Sequence, residues 1–341
     1  MKKTTLKITG LLLATAVTAF TARADIALTQ NLSTYGYAAG FLEYNKIGGD
    51  NGANSSTDTG LRAAKLGFAA NADSLTARVS LYDDGSKLYL LEVNGTYDLG
   101  EGLSVTGGRF QSWLGYEPFD IPKGNFITNG NEIAGLIPNF HEGVRVDYAV
   151  GKSTFGVAFV DSIYNGVHPY SGDGSLNDGY GLEGHYGYDD GALSLGATFA
   201  YQNNHGATRI YAHDIYDGDL WAQYIIKKTT VGAEVYWQHT EDQGPKGNAY
   251  YGLFMVKQQF TDPLAVALRF TTGNVNQDNN GVTTGKASYW KFSIAPTYAI
   301  TENLGVTAEV HYTEYSGNRE VIAAGGKGSN TYLGIQACFK F

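Results

Sequence analysis

The sequence of 341 residues contains only one cysteine, Cys338, and seven prolines. A single cysteine cannot form an internal disulfide, which excludes the small secreted domains that disulfides hold together. After residue 24, no apolar run approaches the roughly 20 residues that a transmembrane helix needs. Basic residues are also scarce, because 24 Lys and Arg stand against 33 Asp and Glu, a formal net charge of −9. Phosphate contacts need Lys and Arg, so we predict no nucleic-acid partner.

Residues 1–24 have the pattern of a secretory signal peptide. Three lysines precede an apolar run over residues 8–20, and the small residues Ala22 and Ala24 occupy the positions that a signal peptidase reads. The run is too short to span a membrane comfortably, which argues against an uncleaved anchor. We predict cleavage before Asp25, which leaves 25–341 as the mature chain. Four basic residues leave with the peptide, so the net charge falls from −9 to about −13.

Apolar and polar residues alternate with a period of two through the rest of the chain. In the segment 192–202, ALSLGATFAYQ, one face carries Leu193, Leu195 and Phe199, and Ser194 lies on the other. This period indicates β-strands with one apolar face. The apolar faces run long and the other faces hold charged residues, which favours a membrane barrel over a periplasmic sandwich with its strands of about 5–6 residues. Bilayer hydrocarbon offers no hydrogen bonds, so such a sheet has to close.

We therefore predict an all-β fold, a transmembrane antiparallel β-barrel of about 16 strands. The predicted strands are 33–43, 62–72, 76–83, 88–99, 103–112, 142–150, 154–161, 178–188, 192–202, 214–226, 230–240, 249–260, 264–272, 288–300, 304–315 and 331–341. Seven tight turns join them at one end. Eight connections join them at the other end, and all but 84–87 are long and polar, including 46–60 and 273–287. This alternation of short and long connections is typical of bacterial outer-membrane barrels, which have short periplasmic turns and long extracellular loops. For strand 249–260, either face could be the apolar one.

The end of the chain resembles that of Gram-negative outer-membrane porins. Apolar or small residues alternate up to the last position: Leu333, Ile335, Ala337, Phe339 and Phe341. Residues 107–151 are similar to the OmpL-like porin family, with a Gly-Arg-Phe strand end, a long loop and a Gly-Val-Arg strand that contains a Tyr. The resemblance implies an outer-membrane porin, a water-filled channel for passive diffusion of small hydrophilic solutes. It also implies contact with lipid and lipopolysaccharide, homotrimer formation, and recognition of Phe339 and Phe341 by the barrel-assembly machinery.

The connection 113–141 is the longest, and it is richer in apolar residues than a freely solvated loop. It also carries Glu117, Asp120, Lys123 and Glu132. Long loops in compact frameworks are usually functional. By resemblance to sixteen-stranded porins, this loop would fold into the barrel and form the constriction. A surface lid or a contact between protomers is the alternative.

Strand parity assigns charged residues to the inside of the barrel. The inward set is Lys65, Arg78, Glu92, Asp98, Arg145, Asp147, Glu183, His185, Asp219, Glu234, Arg269, Lys291, Glu309 and His311. Inward placement is expected because Arg or Lys facing lipid at mid-bilayer costs about 2–4 kcal/mol. Arg109 is an exception, since parity points it outward unless a bulge at the glycine pair 107–108 re-aims it. A position above the lipid zone is the alternative.

These charges suggest a constriction in which acidic loop groups face a basic wall. The candidate residues are Glu117, Asp120, Lys123 and Glu132 on the loop, and Arg78, Arg109, Arg145, Arg269 and Lys291 on the wall. Opposed charges would create a transverse field that sorts solutes, and solvated charges without special pairing are the alternative. The acidic excess of the chain suggests a weak preference for cations.

The sequence provides little support for catalysis. Its seven histidines are scattered and no GxSxG motif occurs. The acidic stretches 170–179 and 212–219 lack the full spacing of an EF-hand. We predict no catalytic residue, metal or cofactor. A non-conducting surface or adhesion barrel and an outer-membrane protease or phospholipase are the alternatives to a porin.

Overall fold

A computed structural model of the chain describes residues 26–49, 54–133, 136–164, 176, 179–204, 214–241, 245–279, 282–317 and 328–341. The predicted signal peptide at 1–24 lies outside these residues. The described residues form one antiparallel sheet of seventeen strands. The first strand, β1 (Ile26–Ala27), is a two-residue segment that pairs with the start of β2. No helix in these residues is both long and apolar enough to cross a membrane.

The other sixteen strands form a closed barrel. They are β2 (Leu32–Gly49), β3 (Asn54–Ala72), β4 (Leu75–Asp83), β5 (Leu88–Gly100), β6 (Leu103–Gln111), β7 (Phe140–Val150), β8 (Ser153–Val160), β9 (Gly179–Asp189), β10 (Leu193–Asn204), β11 (Asp214–Ile226), β12 (Thr229–Glu241), β13 (Pro245–Gln259), β14 (Leu264–Asn279), β15 (Val282–Ala299), β16 (Leu304–Gly317) and β17 (Gly328–Lys340). Each strand pairs with its neighbours in the chain, and β17 pairs with β2. The predicted fold class and strand count are confirmed.

The last residue takes part in closing the ring. The backbone N–H of Phe341 donates to the carbonyl of Gly36, and the N–H of Gly36 donates to the carbonyl of Phe341, both at 3.0 Å. The ring of Phe341 lies 6.2 Å from that of Phe339, which is half exposed on the outer face. The chain terminus is therefore held to β2 by two backbone hydrogen bonds.

Two of the connections predicted as long loops are mostly strand. In the predicted loop 46–60, β2 continues to Gly49 and β3 begins at Asn54. In the predicted loop 273–287, β14 continues to Asn279 and β15 begins at Val282. The apolar face ends earlier in both hairpins, because strands that extend beyond the lipid have water on both sides. The period-two signal disappears there, although the backbone hydrogen bonds continue.

The two faces of the wall have opposite character. Large apolar side chains on the outer face are exposed, for example Leu220 at 57% and Phe254 at 51%. Inward side chains such as Lys65, Asp219 and Glu309 are buried, at 6%, 1% and 0% exposure. A polar interior and an apolar exterior are the arrangement of a barrel in lipid.

Candidate functional site

The described part of the connection between β6 and β7, residues 112–133 and 136–139, runs along the inside of the barrel, and we call it the inner loop. Its backbone N–H groups donate to carboxylates that project inward from four different strands. The pairs are Trp113 with Glu183 (3.2 Å), Gly115 with Asp219 (2.8 Å), Tyr116 with Glu234 (2.8 Å), and Ile127 and Thr128 with Glu309 (2.6 and 2.8 Å). A buried carboxylate needs such donors to offset its desolvation. The inner loop is thus fixed to β9, β11, β12 and β16.

Three ion pairs add to these contacts. They join each predicted acid of the loop to a cation of the wall: Glu117 to Arg269, Asp120 to Lys65 (3.1 Å) and Glu132 to Lys291 (2.7 Å). The sequence suggested that acids and cations face each other across open water. In the structure these groups touch, so they fasten the loop to the wall instead.

Arg269 is the most enclosed of the three cations, with 1% of its surface exposed. Besides Glu117, it donates to Glu309 at 3.3 Å and to the carbonyl of Thr128 at 2.9 Å. Its guanidinium also lies 4.1 Å from the centre of the Phe126 ring. Removing one partner of a buried ion pair typically costs about 3–5 kcal/mol, because the other charge is left without compensation.

Apolar contacts hold the first part of the inner loop. The indole of Trp113 stacks on His185, with ring centres 5.2 Å apart, and lies flat against the inner surface at Gly156. A Cβ atom at Gly156 would collide with that indole, so only glycine leaves room for it. Glycine at this inward position therefore allows the loop to lie close to the wall.

A second apolar cluster packs against β2 to β5 and the start of β7. Phe119 of the loop packs 5.1 Å from Tyr82 and 5.1 Å from Phe140, between ring centres. Leu91, which is fully buried, belongs to the same cluster. A β-bulge in β5 at this residue changes the register, since Ser80 opposes Glu92 while Leu81 opposes Leu90. The bulge turns an extra apolar side chain inward, beneath the loop.

Strand β13 has apolar residues on both faces because its inward residues also pack against the inner loop. Phe254 faces outward, whereas Leu253 and Met255 face inward and are buried against the inner loop. The Nδ2 atom of Asn125 lies 3.4 Å from the sulfur of Met255. The sequence left the lipid face of 249–260 open, and the structure assigns it to Tyr250, Gly252 and Phe254.

Burial and ion pairing act in opposite directions on the loop acids. Burial alone would raise the pKa of Asp120, but the ammonium groups of Lys65 and Lys123 outweigh it and hold the pKa below its usual value. Burial would likewise raise the pKa of Glu132, and Lys291 outweighs it, so this pKa is also lowered. Both acids are therefore charged at neutral pH.

Three further candidate residues, Lys123, Arg145 and Arg78, differ in their surroundings. Lys123 pairs with Asp120 at 3.2 Å, and 45% of its side chain is exposed. Arg145 points inward and pairs with Asp147 at 3.1 Å. Arg78 also points inward, since it lies opposite the buried Ala69 on β3.

Arg109 does not join the inward group. It lies directly opposite Val93, which is exposed on the outer face, and its guanidinium pairs with Glu142 on β7. It also donates to the carbonyl of Leu90, next to the bulge in β5. Placing Arg109 among the pore cations was therefore wrong. Its parity pointed outward, and no bulge in β6 changes that.

A serine, a histidine and a glutamate meet where the inner loop leaves and rejoins the wall. The hydroxyl of Ser112 donates to Glu183 at 2.7 Å, and His141 lies 3.6 Å from the other carboxylate oxygen. The serine thus donates to the glutamate rather than to the histidine, and all three side chains are buried. This geometry joins the two ends of the loop and offers no activated nucleophile.

Sequence reasoning did not identify the carboxylates that bind the loop backbone. Glu183, Asp219, Glu234 and Glu309 were predicted to face the lumen, but without partners. Within the described ranges, no group of three or more His, Cys, Asp or Glu side chains is arranged to hold a metal. Most of the acidic stretch 170–179, and residues 212–213 of the other, lie outside those ranges.

A family model described as "Putative beta-barrel porin-2, OmpL-like" matches residues 18–341, nearly the whole chain. No curated protein matches the sequence.

Solved porin and channel structures share the fold. An anion-selective porin from Comamonas acidovorans has a TM-score of 0.65 at 14% identity, covering 91% of this chain and 100% of that one. The outer membrane channel DcaP of Acinetobacter baumannii has a TM-score of 0.65 at 12% identity, covering 93% and 99%. Salmonella typhi OmpF, in a complex with daunomycin, has a TM-score of 0.62 at 15% identity, covering 93% and 100%. At these identities the likeness is one of fold.

Proposed function

Because this chain belongs to the OmpL-like β-barrel porin-2 family, we propose that it forms a water-filled channel in the bacterial outer membrane. Small hydrophilic solutes and ions cross it by passive diffusion. The signal peptide, residues 1–24, directs export and is removed. The barrel then meets lipid and lipopolysaccharide on its outer face, and its last strand, ending in Phe339 and Phe341, is what the barrel-assembly machinery recognises.

The observation that carries the proposal is the polar interior of a sixteen-stranded barrel with a loop folded inside it. Barrels of 16–18 strands leave an aqueous channel, whereas eight-stranded ones are filled by their own side chains. The inner loop narrows that channel and is the proposed constriction. Its ion pairs and backbone hydrogen bonds hold it against the wall, so that water remains on its other side, where Lys123 is exposed.

One observation favours a non-conducting surface barrel as the second candidate. The inner loop covers Arg269, Lys291 and Glu309 so fully that each is 1% exposed or less. A loop that covered the rest of the lumen equally well would be a plug. The family and the fold favour a channel over an enzyme, and the buried Ser112–Glu183–His141 contact does not supply a hydrolase site.

Liposome swelling tests the proposal. Vesicles with the refolded mature barrel, residues 25–341, are diluted into isotonic solutions of sugars of increasing size. We expect fast swelling with small sugars and slower swelling as size increases. Vesicles with heat-unfolded protein are the control. A folded barrel that gives no more swelling than this control would contradict the channel and favour the plug.

The homotrimer is a separate proposal, supported by the resemblance to porins. Sedimentation of the folded barrel in detergent, with the bound detergent measured, would give the mass of the protein part. A mass of three chains is expected, and a mass of one chain would contradict it.

A further inference from the structure

A row of four small residues crosses the outer face of the neighbouring strands β3 to β6. The strand register places them directly opposite one another, in the order Ala70, Ala77, Gly95 and Gly107. With strands about 4.8 Å apart, the row is about 14 Å long. Larger residues flank it in two parallel ridges, Phe68, Val79, Val93 and Arg109 on one side and Leu75, Tyr97 and Val105 on the other. The row is therefore the floor of a groove, which we call the outer groove.

The barrel itself does not require the two glycines of this row. A Cβ atom at Gly107 would meet no described atom within 4 Å, and one at Gly95 would meet only Leu75, at an ordinary contact distance of 3.8 Å. Neither glycine has a positive φ. Glycine inside a strand weakens the strand, and it often marks a place where another backbone or a ligand comes close. The described chain supplies no such neighbour here, so the groove is suited to one outside it.

One ridge of the outer groove ends in a charged pair. Arg109 pairs with Glu142 on β7, and 19% and 26% of the two side chains remain exposed. Their neighbours on this face, Val93 and Val144, are apolar and exposed. An Arg that faces lipid costs up to about 2–4 kcal/mol at mid-bilayer, and pairing with Glu142 offsets only part of that cost. A protein neighbour can offer polar groups to such a pair, which lipid tails cannot.

The depth of this pair argues against a lipid headgroup as its neighbour. Arg109 is six residues along β6 from Leu103, which lies opposite Tyr148 beside the tight turn. Six residues of a strand tilted by about 40° rise about 15 Å, whereas the apolar band of such barrels is about 25 Å tall. The pair thus lies about 10 Å below the upper edge of the band, at a depth where lipid consists of hydrocarbon chains.

The width of the groove fits a three-fold arrangement of barrels. In a ring of three round barrels, each barrel touches its two neighbours along lines that are one-sixth of its circumference apart. One-sixth of a ring of sixteen strands is about three strands. The row from β3 to β6 spans three strand intervals, so it covers both lines of contact. Small residues there let neighbouring walls come close together.

We propose that the outer groove, with Arg109 and Glu142 at its end, is the face through which copies of this chain pack together. This inference rests on the proposed homotrimer and adds the surface that forms it. It also accounts for the position of Arg109, which faces outward and takes no part in the lumen. The competing occupant of the groove is lipid hydrocarbon.

Filling the groove tests the proposal. Gly107→Leu adds a side chain where the single barrel has room for it, so the barrel should still fold, as judged by heat-modifiable gel migration. Sedimentation in detergent, with the bound detergent measured, should give a mass of three chains for the unmodified protein and of one chain for this variant, because the added side chain holds the walls apart. Ala77→Leu, a smaller change in the same row, should have the same effect.

The matched control is Gly252→Leu on β13. Gly252 also faces outward, in a second recess of the wall, and a Cβ atom there would make only ordinary contacts, at 3.9 Å. Strand β13 is seven strands from β6 in the ring of sixteen, on nearly the opposite wall. This variant should keep a mass of three chains.

The outcomes separate the surface from the trimer and from the channel. A mass of three chains for both groove variants would overturn the outer groove as the interface, and so would separation of the copies by Gly252→Leu. Failure of both groove variants to fold would contradict the room found at these positions and overturn it as well. A mass of one chain for the unmodified protein would overturn the homotrimer and leave the groove to lipid. Swelling of vesicles by the unmodified protein tests the channel independently of these masses.

Discussion

Replacing Glu309 by Gln should loosen the inner loop without unfolding the barrel. This carboxylate accepts hydrogen bonds from the N–H groups of Ile127 and Thr128, at 2.6 and 2.8 Å, and from the hydroxyl of Thr128 at 2.8 Å. Hydrogen bonds to a charged group contribute about 1.5–3 kcal/mol each, and neutral ones about 0.5–1.5 kcal/mol. An amide oxygen in the same place would therefore lose about 1–1.5 kcal/mol for each of the two N–H bonds, roughly 2–3 kcal/mol together. This figure is a minimum, because the change also removes one of the two carboxylates that pair with the buried Arg269.

A loss of that size changes the population of the docked loop by about 30- to 150-fold, since 1.4 kcal/mol corresponds to tenfold. The barrel wall should persist, because its backbone ladders do not involve this side chain. We expect Glu309→Gln to increase the single-channel conductance and the open-channel noise, and to expose the inner loop to added protease.

The matched control is Glu314→Gln on the same strand, β16. Glu314 lies opposite the exposed Trp290 on the outer face, so the change removes the same charge without touching the loop. Its conductance and proteolysis should match the unmodified protein. If Glu309→Gln also matches it in both measurements, the inner loop is not held by this carboxylate and the reasoning fails.

Three further changes test other parts of the account. Gly156→Ala places a Cβ atom against the Trp113 indole, so the variant should raise conductance while keeping a folded barrel. Gly184→Ala on β9, where a Cβ atom meets open space, is the control for a glycine change in a strand, and equal effects would count against the close approach. The pKa values of Asp120 and Glu132 are lowered in the folded protein, so their ion pairs stabilise the docked loop fully above about pH 4, and this stabilisation is lost as pH falls further. Protease sensitivity of the inner loop should therefore rise on acidification below about pH 4. A flat profile would argue against these ion pairs. Deleting Phe341 removes two hydrogen bonds to Gly36 and should reduce the fraction of folded barrel in outer membranes, scored by heat-modifiable gel migration, far more than it alters the pores that still form; normal assembly would refute its role.

The sequence predicted the wall well because burial of alternate side chains leaves a signal in every strand. Leu193, Leu195 and Phe199 face lipid, as their spacing indicated. The same signal could not mark the extensions of β2 and β14, where water surrounds both faces. Nor could it settle 249–260, since Leu253 and Met255 are apolar for contact with a loop more than a hundred residues away.

The candidate site was harder to predict for a different reason. Parity placed Arg269 and Glu309 inside the barrel, but it does not specify which groups meet. Glu117 and Arg269 are 152 residues apart in the chain, and their pairing depends on the path that the inner loop takes. The sequence therefore indicated charges in the lumen, whereas the structure shows which of them hold the loop.

The central claim is that water and ions pass this barrel beside a fastened inner loop. Single-channel recording of the mature protein in planar bilayers in 1 M KCl tests it most directly. We predict discrete conductance steps of uniform size that are absent with heat-unfolded protein. A barrel that is folded by gel migration and circular dichroism, yet gives no steps, would contradict the claim.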